Sequence, residues 1–214
     1  HLMPIENLIL HVKKSTMTDK LMNNDDKLVA DINKRDLTEK DITEKEIIEK
    51  ENTEKESIEK ENIENKIDKT FMTQALQLAD TAAEHEEVPV GALVVYKGKV
   101  IATGFNRPIS DNDASAHAEI NALREAGKVL GNYRLPECTL YVTLEPCTMC
   151  LGAMIHARIT RLVFAANEPR AGAVESQLNL LDQSFFNHRI EWRGGVLASE
   201  SSEKLKQFFK RKRS

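Results

Sequence analysis

Four residues in two short stretches could do chemistry that neither stretch could do alone. His117 and Glu119 lie in the tripeptide His-Ala-Glu, and Cys147 and Cys150 lie in the pentapeptide Pro-Cys-Thr-Met-Cys. One imidazole and two thiolates are ligands that suit zinc, and they leave the fourth tetrahedral position open. An open position on zinc holds water and lowers its pKa towards neutrality. The sequence therefore predicts a catalytic metal site with Glu119 as the proton carrier beside it.

The spacing of these residues predicts that each stretch lies at the start of a helix. If Pro146 enters a helix, Cys147 and Cys150 share one face of its first turn. We expect His117 near the start of a second helix, with Asp113 or Ser115 as the N-cap. Glu119 lies about 200° around an ideal helix from His117. It is therefore not expected to be a further ligand, but it can approach the open position from the side.

Each half of this pattern has a simpler explanation when it is taken alone. A C-x-x-C pair can be a redox pair or half of a structural zinc site, and H-x-E often marks an ordinary helix start. The remaining cysteine, Cys138, has no second ligand beside it in the sequence. In this order, with Pro146 before the first cysteine, the two halves match the H-x-E…P-C-x-x-C signature of zinc deaminases. The combined pattern predicts hydrolytic deamination of a nucleobase.

The composition limits the compartment and the class of partner. Three cysteines, two of them in the metal pattern, argue against a disulfide scaffold and favour a reducing compartment, which we expect to be the cytoplasm. No apolar run approaches the 18 or more residues that span a membrane, and no secretory signal is visible, so no membrane partner is expected. Residues 70–214 carry 17 basic and 16 acidic side chains, whereas residues 1–69 carry 13 and 18. The net charge of −4 therefore belongs to the N-terminal segment and does not define the partner of the core.

A charge-rich repeat separates the N-terminal segment from the core. From Asp36 the five-residue units DLTEK, DITEK, EIIEK, ENTEK and ESIEK follow one another. Their carboxylate–lysine pairs at i,i+4 favour a helix slightly, but successive isoleucines advance by about 140°, so no apolar stripe forms. We predict that residues 1–69 form a solvated tail, disordered or transiently helical, and that residues 70–214 form the deaminase domain. A docking arm for another protein is the alternative.

The core shows alternating helix and strand patterns. Helical spacing of apolar residues begins at Phe71, and a final helix is expected over residues 199–212. Apolar runs predict strands at residues 88–96, 99–104, 138–144 and 159–165, with a short edge strand at 189–193. These patterns predict an α/β fold with a central mixed sheet of about five strands flanked by helices. Both ligand stretches fall where a strand passes into a helix, the usual location of sites in such sheets.

Over residues 71–213 the chain resembles the bacterial tRNA-specific adenosine deaminases. The matching stretches are EVPVGA, FNRPI, SAHAEI, NYRL, TLYVTLEPCTMCLGAMIHARI, NHRIE and FFKRKR. The resemblance implies a cytidine deaminase-like three-layer fold, a homodimer and one Zn²⁺ per subunit. It also implies that the substrate is a tRNA anticodon stem-loop, chiefly of an arginine tRNA, whose wobble adenosine becomes inosine. No DNA partner is expected.

The resemblance also implies roles for individual residues. His117, Cys147 and Cys150 would bind zinc, Glu119 would shuttle the proton, and Asn106 would contact the flipped nucleoside. The basic end of the last helix would meet the anticodon stem-loop, through Phe209, Lys210, Arg211 and Arg213.

Two positions depart from the family pattern. Glu168 stands where many relatives have aspartate, in a loop that could affect the preference for the flanking nucleotide. Ala114 stands where a proline is usual. We expect neither to abolish activity.

Three other functions fit parts of the pattern. A deaminase of free cytosine, cytidine or guanine would use the same attack step. A non-catalytic RNA-binding partner subunit could keep a zinc core, although an intact Glu119 argues against it. A structural zinc module is disfavoured because a fourth ligand is missing.

Overall fold

The computed structural model describes residues 24–213, with side chains described from residue 49 onwards. Within these residues no helix combines the length and the apolar character that crossing a bilayer requires. Contacts divide the chain into two units, His1–Ile58 and Glu59–Ser214. The helices and strands are α1 (Asn24–Glu84), β1 (Gly91–Tyr96), β2 (Lys99–Phe105), α2 (Ala118–Leu130), β3 (Cys138–Leu144), α3 (Thr148–Ala157), β4 (Arg161–Ala166), a 3-10 helix (Leu180–Asp182), β5 (Glu191–Arg193) and α4 (Ala198–Arg213).

A five-stranded mixed sheet with the order β2-β1-β3-β4-β5 forms the centre of the second unit. Strand β1 is antiparallel to both β2 and β3, whereas β3, β4 and β5 run parallel. The parallel pair β3–β4 is joined through α3, as the strand–helix–strand pattern predicted. The predicted α/β fold with about five strands is confirmed.

The two faces of the sheet bury different sets of side chains because successive residues of a strand point to opposite faces. Ala92 and Val94 of β1 belong to the core cluster formed with α2 and α3. Leu93 and Val95 belong to the other cluster, which includes Met72 of α1 and Val196 ahead of α4. The helices therefore cover both faces, and the fold has three layers.

Gly104 in β2 brings the start of α2 unusually close to the sheet. A Cβ atom added at this residue would lie 2.3 Å from the backbone oxygen of Ala118. Only a glycine permits this approach. The contact fixes the N-terminal end of α2, where His117 and Glu119 lie, against the strand next to β1.

The first helix is longer than the sequence pattern predicted. We expected a core helix from Phe71, but α1 runs without interruption from Asn24 to Glu84. Side chains 49–64 are exposed, whereas Asp68 is fully buried. The packed part of α1 therefore begins ahead of the boundary predicted between residues 69 and 70. A solvated or docking role for the repeat stays a prediction, and residues 1–23 lie outside the described part of the chain.

Candidate metal centre and active site

The three predicted ligands meet at the N-terminal ends of two helices. His117 is the N-cap of α2 and Cys147 is the N-cap of α3, both with extended backbone conformations. Nδ1 of His117 lies 3.8 Å from Sγ of Cys147 and 3.5 Å from Sγ of Cys150, and the two sulfur atoms are 3.7 Å apart. The sequence placed Pro146 and Cys147 inside the helix, whereas α3 begins at Thr148. The extended cap conformation turns Cys147 towards Cys150 and His117.

This triangle of atoms fits one tetrahedral zinc ion. Zinc bonds of about 2.3 Å to sulfur and 2.0 Å to nitrogen, at a tetrahedral angle, separate two sulfurs by about 3.8 Å and sulfur from nitrogen by about 3.5 Å. The observed separations of 3.7, 3.5 and 3.8 Å are close to these values. The three side chains therefore form a group that could hold a metal ion. A mixed nitrogen and sulfur donor set is one that zinc accepts.

The two thiols differ in their tendency to ionise. The pKa of Cys147 is lowered to about 3, chiefly through its hydrogen bond with Cys150, and His117 lowers it further. The pKa of Cys150 is raised, chiefly through the same hydrogen bond and also because the group is buried. The pKa of His117 is raised, chiefly through its hydrogen bond with Cys147. A cation between the sulfurs would favour both thiolates and so reverse the shift at Cys150.

Glu119 lies beside the ligands as the second residue of α2 and is 4% exposed. Burial raises the pKa of its carboxyl group, an effect that the charge of His117 and a hydrogen bond with Cys150 partly offset. Its carboxylate is therefore close to two of the three ligands. A carboxyl group whose pKa is raised by burial takes up a proton more readily, which suits a group that must accept a proton and give it back.

Asn106 connects the start of α2 to the chain ahead of β1. Its Oδ1 accepts a hydrogen bond of 2.9 Å from the backbone N–H of Ala118, and its Nδ2 donates one of 3.2 Å to the carbonyl oxygen of Val88. The predicted cap was wrong. Ser115 donates to Asp113 instead, through its backbone N–H and its hydroxyl group.

A second buried carboxylate holds the loop that follows Asn106. Oε1 of Glu87 accepts hydrogen bonds of 2.7 and 2.9 Å from the backbone N–H and the hydroxyl group of Ser110. Glu87 is 1% exposed. Glu87 was not among the residues predicted from the sequence, although it lies inside the matching stretch EVPVGA, next to an apolar run.

A third buried carboxylate, Glu145, holds the loop that contains Glu168. Its oxygens accept backbone N–H bonds of 3.0 Å from Glu168, 3.1 Å from Val174, 2.9 Å from Glu175 and 3.0 Å from Ser176. The hydroxyl group of Ser176 donates a further hydrogen bond. Burial alone would raise the pKa of Glu145, but these donors outweigh it and the pKa is lowered. Glu145 was not predicted from the sequence either, although it directly precedes the Pro-Cys-x-x-Cys motif.

The half-buried Glu168 has its own local partner in this loop. Its Oε1 accepts a hydrogen bond of 2.9 Å from the backbone N–H of Arg170. This hydrogen bond orients the Glu168 carboxylate by a contact within the loop itself, not by a contact with a metal ligand.

The predicted RNA-contacting residues lie in the last turns of α4. Phe208 is buried, whereas Phe209 is 43% exposed. Lys210, Arg211 and Arg213 form the basic end of the helix together with Lys212, which pairs with Glu86 at 3.1 Å. Glu86 directly precedes Glu87. The end of α4 is therefore linked to the segment that holds the loop around Ser110.

Comparisons with known proteins agree with this geometry. Residues 65–213 match the family of MafB19-like deaminases. The tRNA-specific adenosine deaminase of Haemophilus influenzae is 48% identical over 150 residues, which are 70% of this chain and 87% of the relative. A solved structure from work on A-to-I editing by tRNA:A34 deaminases at the wobble position is 48% identical, with a TM-score of 0.62, and the match covers 64% of this chain and 99% of that one.

A more distant neighbour belongs to a different group of deaminases. It is a guanine deaminase from Nitrosomonas europaea, 27% identical with a TM-score of 0.58, and the match covers 65% of this chain and 83% of that one. The chain is 48% identical to the Haemophilus enzyme over 87% of that enzyme's length, but only 27% identical to the guanine deaminase. It is therefore more similar to the tRNA-specific group. The chain belongs to the family of the bacterial tRNA-specific adenosine deaminases.

Proposed function

We propose that this protein converts adenosine to inosine by hydrolysis at the wobble position of a tRNA anticodon, with an arginine tRNA as the main substrate. The observation that carries the proposal is the 48% identity to the Haemophilus enzyme over 87% of that enzyme's length. The His117, Cys147 and Cys150 triangle with Glu119 beside it supports the same reaction. A tRNA substrate would place the protein in the cytoplasm.

The overall reaction exchanges the amine at C6 of adenine for an oxygen from water and releases ammonia. When bound by His117, Cys147 and Cys150, zinc would supply Lewis-acid activation of the attacking water. Glu119 takes up the proton lost by that water and delivers it to N1 of the ring. It then takes the remaining proton from the oxygen added at C6 and passes it to the departing amine, so that the C6 carbonyl forms and ammonia leaves.

The adenine base must leave the anticodon stack before it can reach this site. The free energy needed to extrude a base is lowest in a single-stranded loop, where the protein can also bind the neighbouring bases. Asn106 uses one amide hydrogen and one oxygen lone pair within the protein. A second amide hydrogen can still be directed at the nucleoside. Glu168 would act on the flanking nucleotide through the loop that Glu145 holds.

The basic end of α4 would contact the phosphates of the anticodon stem-loop. Replacing Lys210, Arg211 and Arg213 by alanine should weaken tRNA binding and reduce its salt dependence. Each lost phosphate contact lowers the slope of log K against log salt by about 0.7 to 0.9. Fluorescence anisotropy from 50 to 300 mM salt measures the slope. Lys212→Ala removes a single cation from the same helix end and is the comparison, and it should lower the slope by no more than one such contact. An unchanged slope in the triple variant would contradict these contacts.

We also propose that the protein forms a homodimer through the face between α2 and α3. A groove of about 600 Å³ there is lined mainly by apolar side chains such as Leu123 and Ala153 and by Tyr133. Tyr133 is 70% exposed in the single chain, and the adjoining Val129 is 55% exposed. Burying them between two copies would remove this apolar area from water. Sedimentation equilibrium tests the proposal, and a monomer at micromolar concentration would contradict it.

The test of the function is a sequencing assay. Purified zinc-loaded protein is incubated with unmodified arginine tRNA that has adenosine at the wobble position, and inosine is read at every adenosine. The same protein is incubated with free guanine, cytosine and cytidine, and ammonia is measured. Conversion confined to the wobble position supports the proposal. Ammonia from guanine alone would favour the activity of the Nitrosomonas neighbour, and tRNA binding without any turnover would favour a non-catalytic partner subunit.

A further inference from the structure

Glu145 stands where the metal centre and the loop over residues 167–177 meet. It directly follows β3 and precedes Pro146 and Cys147 in the chain. Its side chain is 2% exposed, and all of its described hydrogen bonds come from that loop. Successive backbone N–H groups that converge in this way form a nest for an anion. In this protein the anion is a carboxylate of the same chain.

A second set of contacts holds the same loop against the ligand-bearing segment. The backbone N–H of Ala173 donates a hydrogen bond of 2.9 Å to the carbonyl oxygen of Pro146. Ala173 and Val174 are buried and belong to the same core cluster as Cys150. The loop therefore packs directly beside the residues that could hold the metal, and its conformation depends on Glu145.

We propose that Glu145 is a positioning residue for the RNA substrate. It fixes the conformation in which the 167–177 loop binds the RNA beside the metal centre. This inference rests on the proposed function, because it assigns the loop to substrate binding. Glu145 does not touch the substrate in this proposal. It acts through the backbone of Glu168 and through Val174, Glu175 and Ser176, whose N–H groups it fixes.

The substitution Glu145→Gln tests the donor pattern with almost no change in shape. Oε2 of Glu145 accepts from the backbone N–H of Glu168 and from the hydroxyl group of Ser176, whereas Oε1 accepts from three backbone N–H groups. A glutamine amide places N–H donors at one of these two positions. At least one backbone N–H of the loop then faces another donor, and the hydrogen bond is lost.

The substitution Gly172→Ala disturbs the same contact from the other side. A Cβ atom at Gly172 would lie 2.3 Å from Oε2 of Glu145, so that the carboxylate or the loop must move. Gly152→Ala in α3 is the matched control, because a Cβ atom there has no neighbour within 4 Å. If Glu145 acts through the loop, the two test variants should share one phenotype although they change different residues.

The experiment measures zinc content, kcat and KM for tRNA, and hydrogen exchange of the loop amides. In Glu145→Gln and Gly172→Ala, KM should rise about tenfold, the loss expected for one charge-assisted hydrogen bond. Zinc content should stay at the wild-type level and kcat should change by less than about threefold, since the substitutions leave the ligands and Glu119 in place. The backbone amides that lose their acceptor, either that of Glu168 or those of Val174, Glu175 and Ser176, should exchange at least about tenfold faster. Gly152→Ala should match the wild type.

Other outcomes contradict the proposal in distinguishable ways. Unchanged exchange of the loop amides would mean that Glu145 does not hold the loop. A fall in zinc content, or in kcat alone, would mean that Glu145 acts on the ligand segment instead. Faster hydrogen exchange of the loop amides with an unchanged KM for tRNA would mean that the loop does not bind the RNA. If the wild type does not deaminate tRNA at all, the proposed function fails, while the exchange data still decide whether Glu145 holds the loop.

Discussion

Replacing Glu119 by alanine is expected to leave zinc bound and to lower the deamination rate by about 10²- to 10⁴-fold, the usual contribution of a general acid–base residue. The three ligand atoms belong to other residues, so their geometry survives the change. The attacking water and the leaving amine, however, lose the only buried carboxyl group that the site places next to His117 and Cys150 among the described residues. Substrate binding should change much less than turnover, because a proton carrier acts mainly in the transition state.

Metal analysis and single-turnover kinetics on wobble-adenosine tRNA measure the two effects separately. Glu125→Ala is the matched control, since Glu125 lies on the same helix but is half exposed and pairs with Lys128. It should keep both zinc and turnover. Loss of zinc from Glu119→Ala would mean that Glu119 is a ligand. Retained turnover would mean that another group carries the proton, and the mechanism above would be wrong.

The metal centre could be predicted from the sequence because its chemistry depends on residue types that are rarely combined by chance. Cys147 and Cys150 are three residues apart, and His117 and Glu119 are two apart, so local spacing already places each pair. Strand–helix junctions then bring the two pairs to the same edge of the sheet. The mixed sheet was predictable for a similar reason, since short apolar runs alternate with helical patterns through the core.

The hydrogen bonds that hold the site in place could not be predicted, because they join residues that are distant in the chain. Asn106 caps α2 from 12 residues away, Glu87 holds Ser110 across 23 residues, and Glu145 reaches Ser176 across 31. No local pattern distinguishes such a buried carboxylate from a solvated one. The predicted caps Asp113 and Ser115 fit the local rule, but the amide of Asn106 reaches the Ala118 N–H and Ser115 bonds with Asp113.

The length of α1 could not be predicted from local sequence patterns either. The repeat contains no apolar stripe, so the pattern predicted a segment with no face to bury. Polar contacts can nevertheless hold a helix without such a stripe, and Asp68 makes them where the packed part of α1 begins. Its carboxylate accepts hydrogen bonds from the hydroxyl group of Tyr141 and from Arg161 and Arg193, while Glu64 pairs with Arg161 at 2.8 Å. These partners lie 73 to 125 residues further along the chain.

Replacing Asp68 by asparagine is expected to lower the free energy of unfolding by about 2 to 4 kcal/mol, close to the cost of breaking a buried ion pair. Asp68 is fully buried, and the change leaves the guanidinium group of Arg161 without its main partner. The figure lies somewhat below the usual range because Arg193 is 32% exposed and water can solvate it. Urea unfolding at pH 7 measures the loss. Asp80→Asn is the control, since Asp80 is 54% exposed in its pair with Lys204 and should matter little.

The pH dependence separates this ion network from simple packing. Burial alone would raise the pKa of Asp68, but hydrogen bonds from Arg161 and Tyr141 and the charges of Arg161 and Arg193 outweigh it, so the pKa in the folded protein is lowered. A lowered pKa gives stability that is fully present above the unfolded value of about 3.9 and is lost as the pH falls through the folded value. The difference between wild type and Asp68→Asn should therefore be constant from pH 6 to 8 and shrink below about pH 4. A difference that stays constant down to pH 3 would mean that the side chain stabilises α1 through its shape and not its charge.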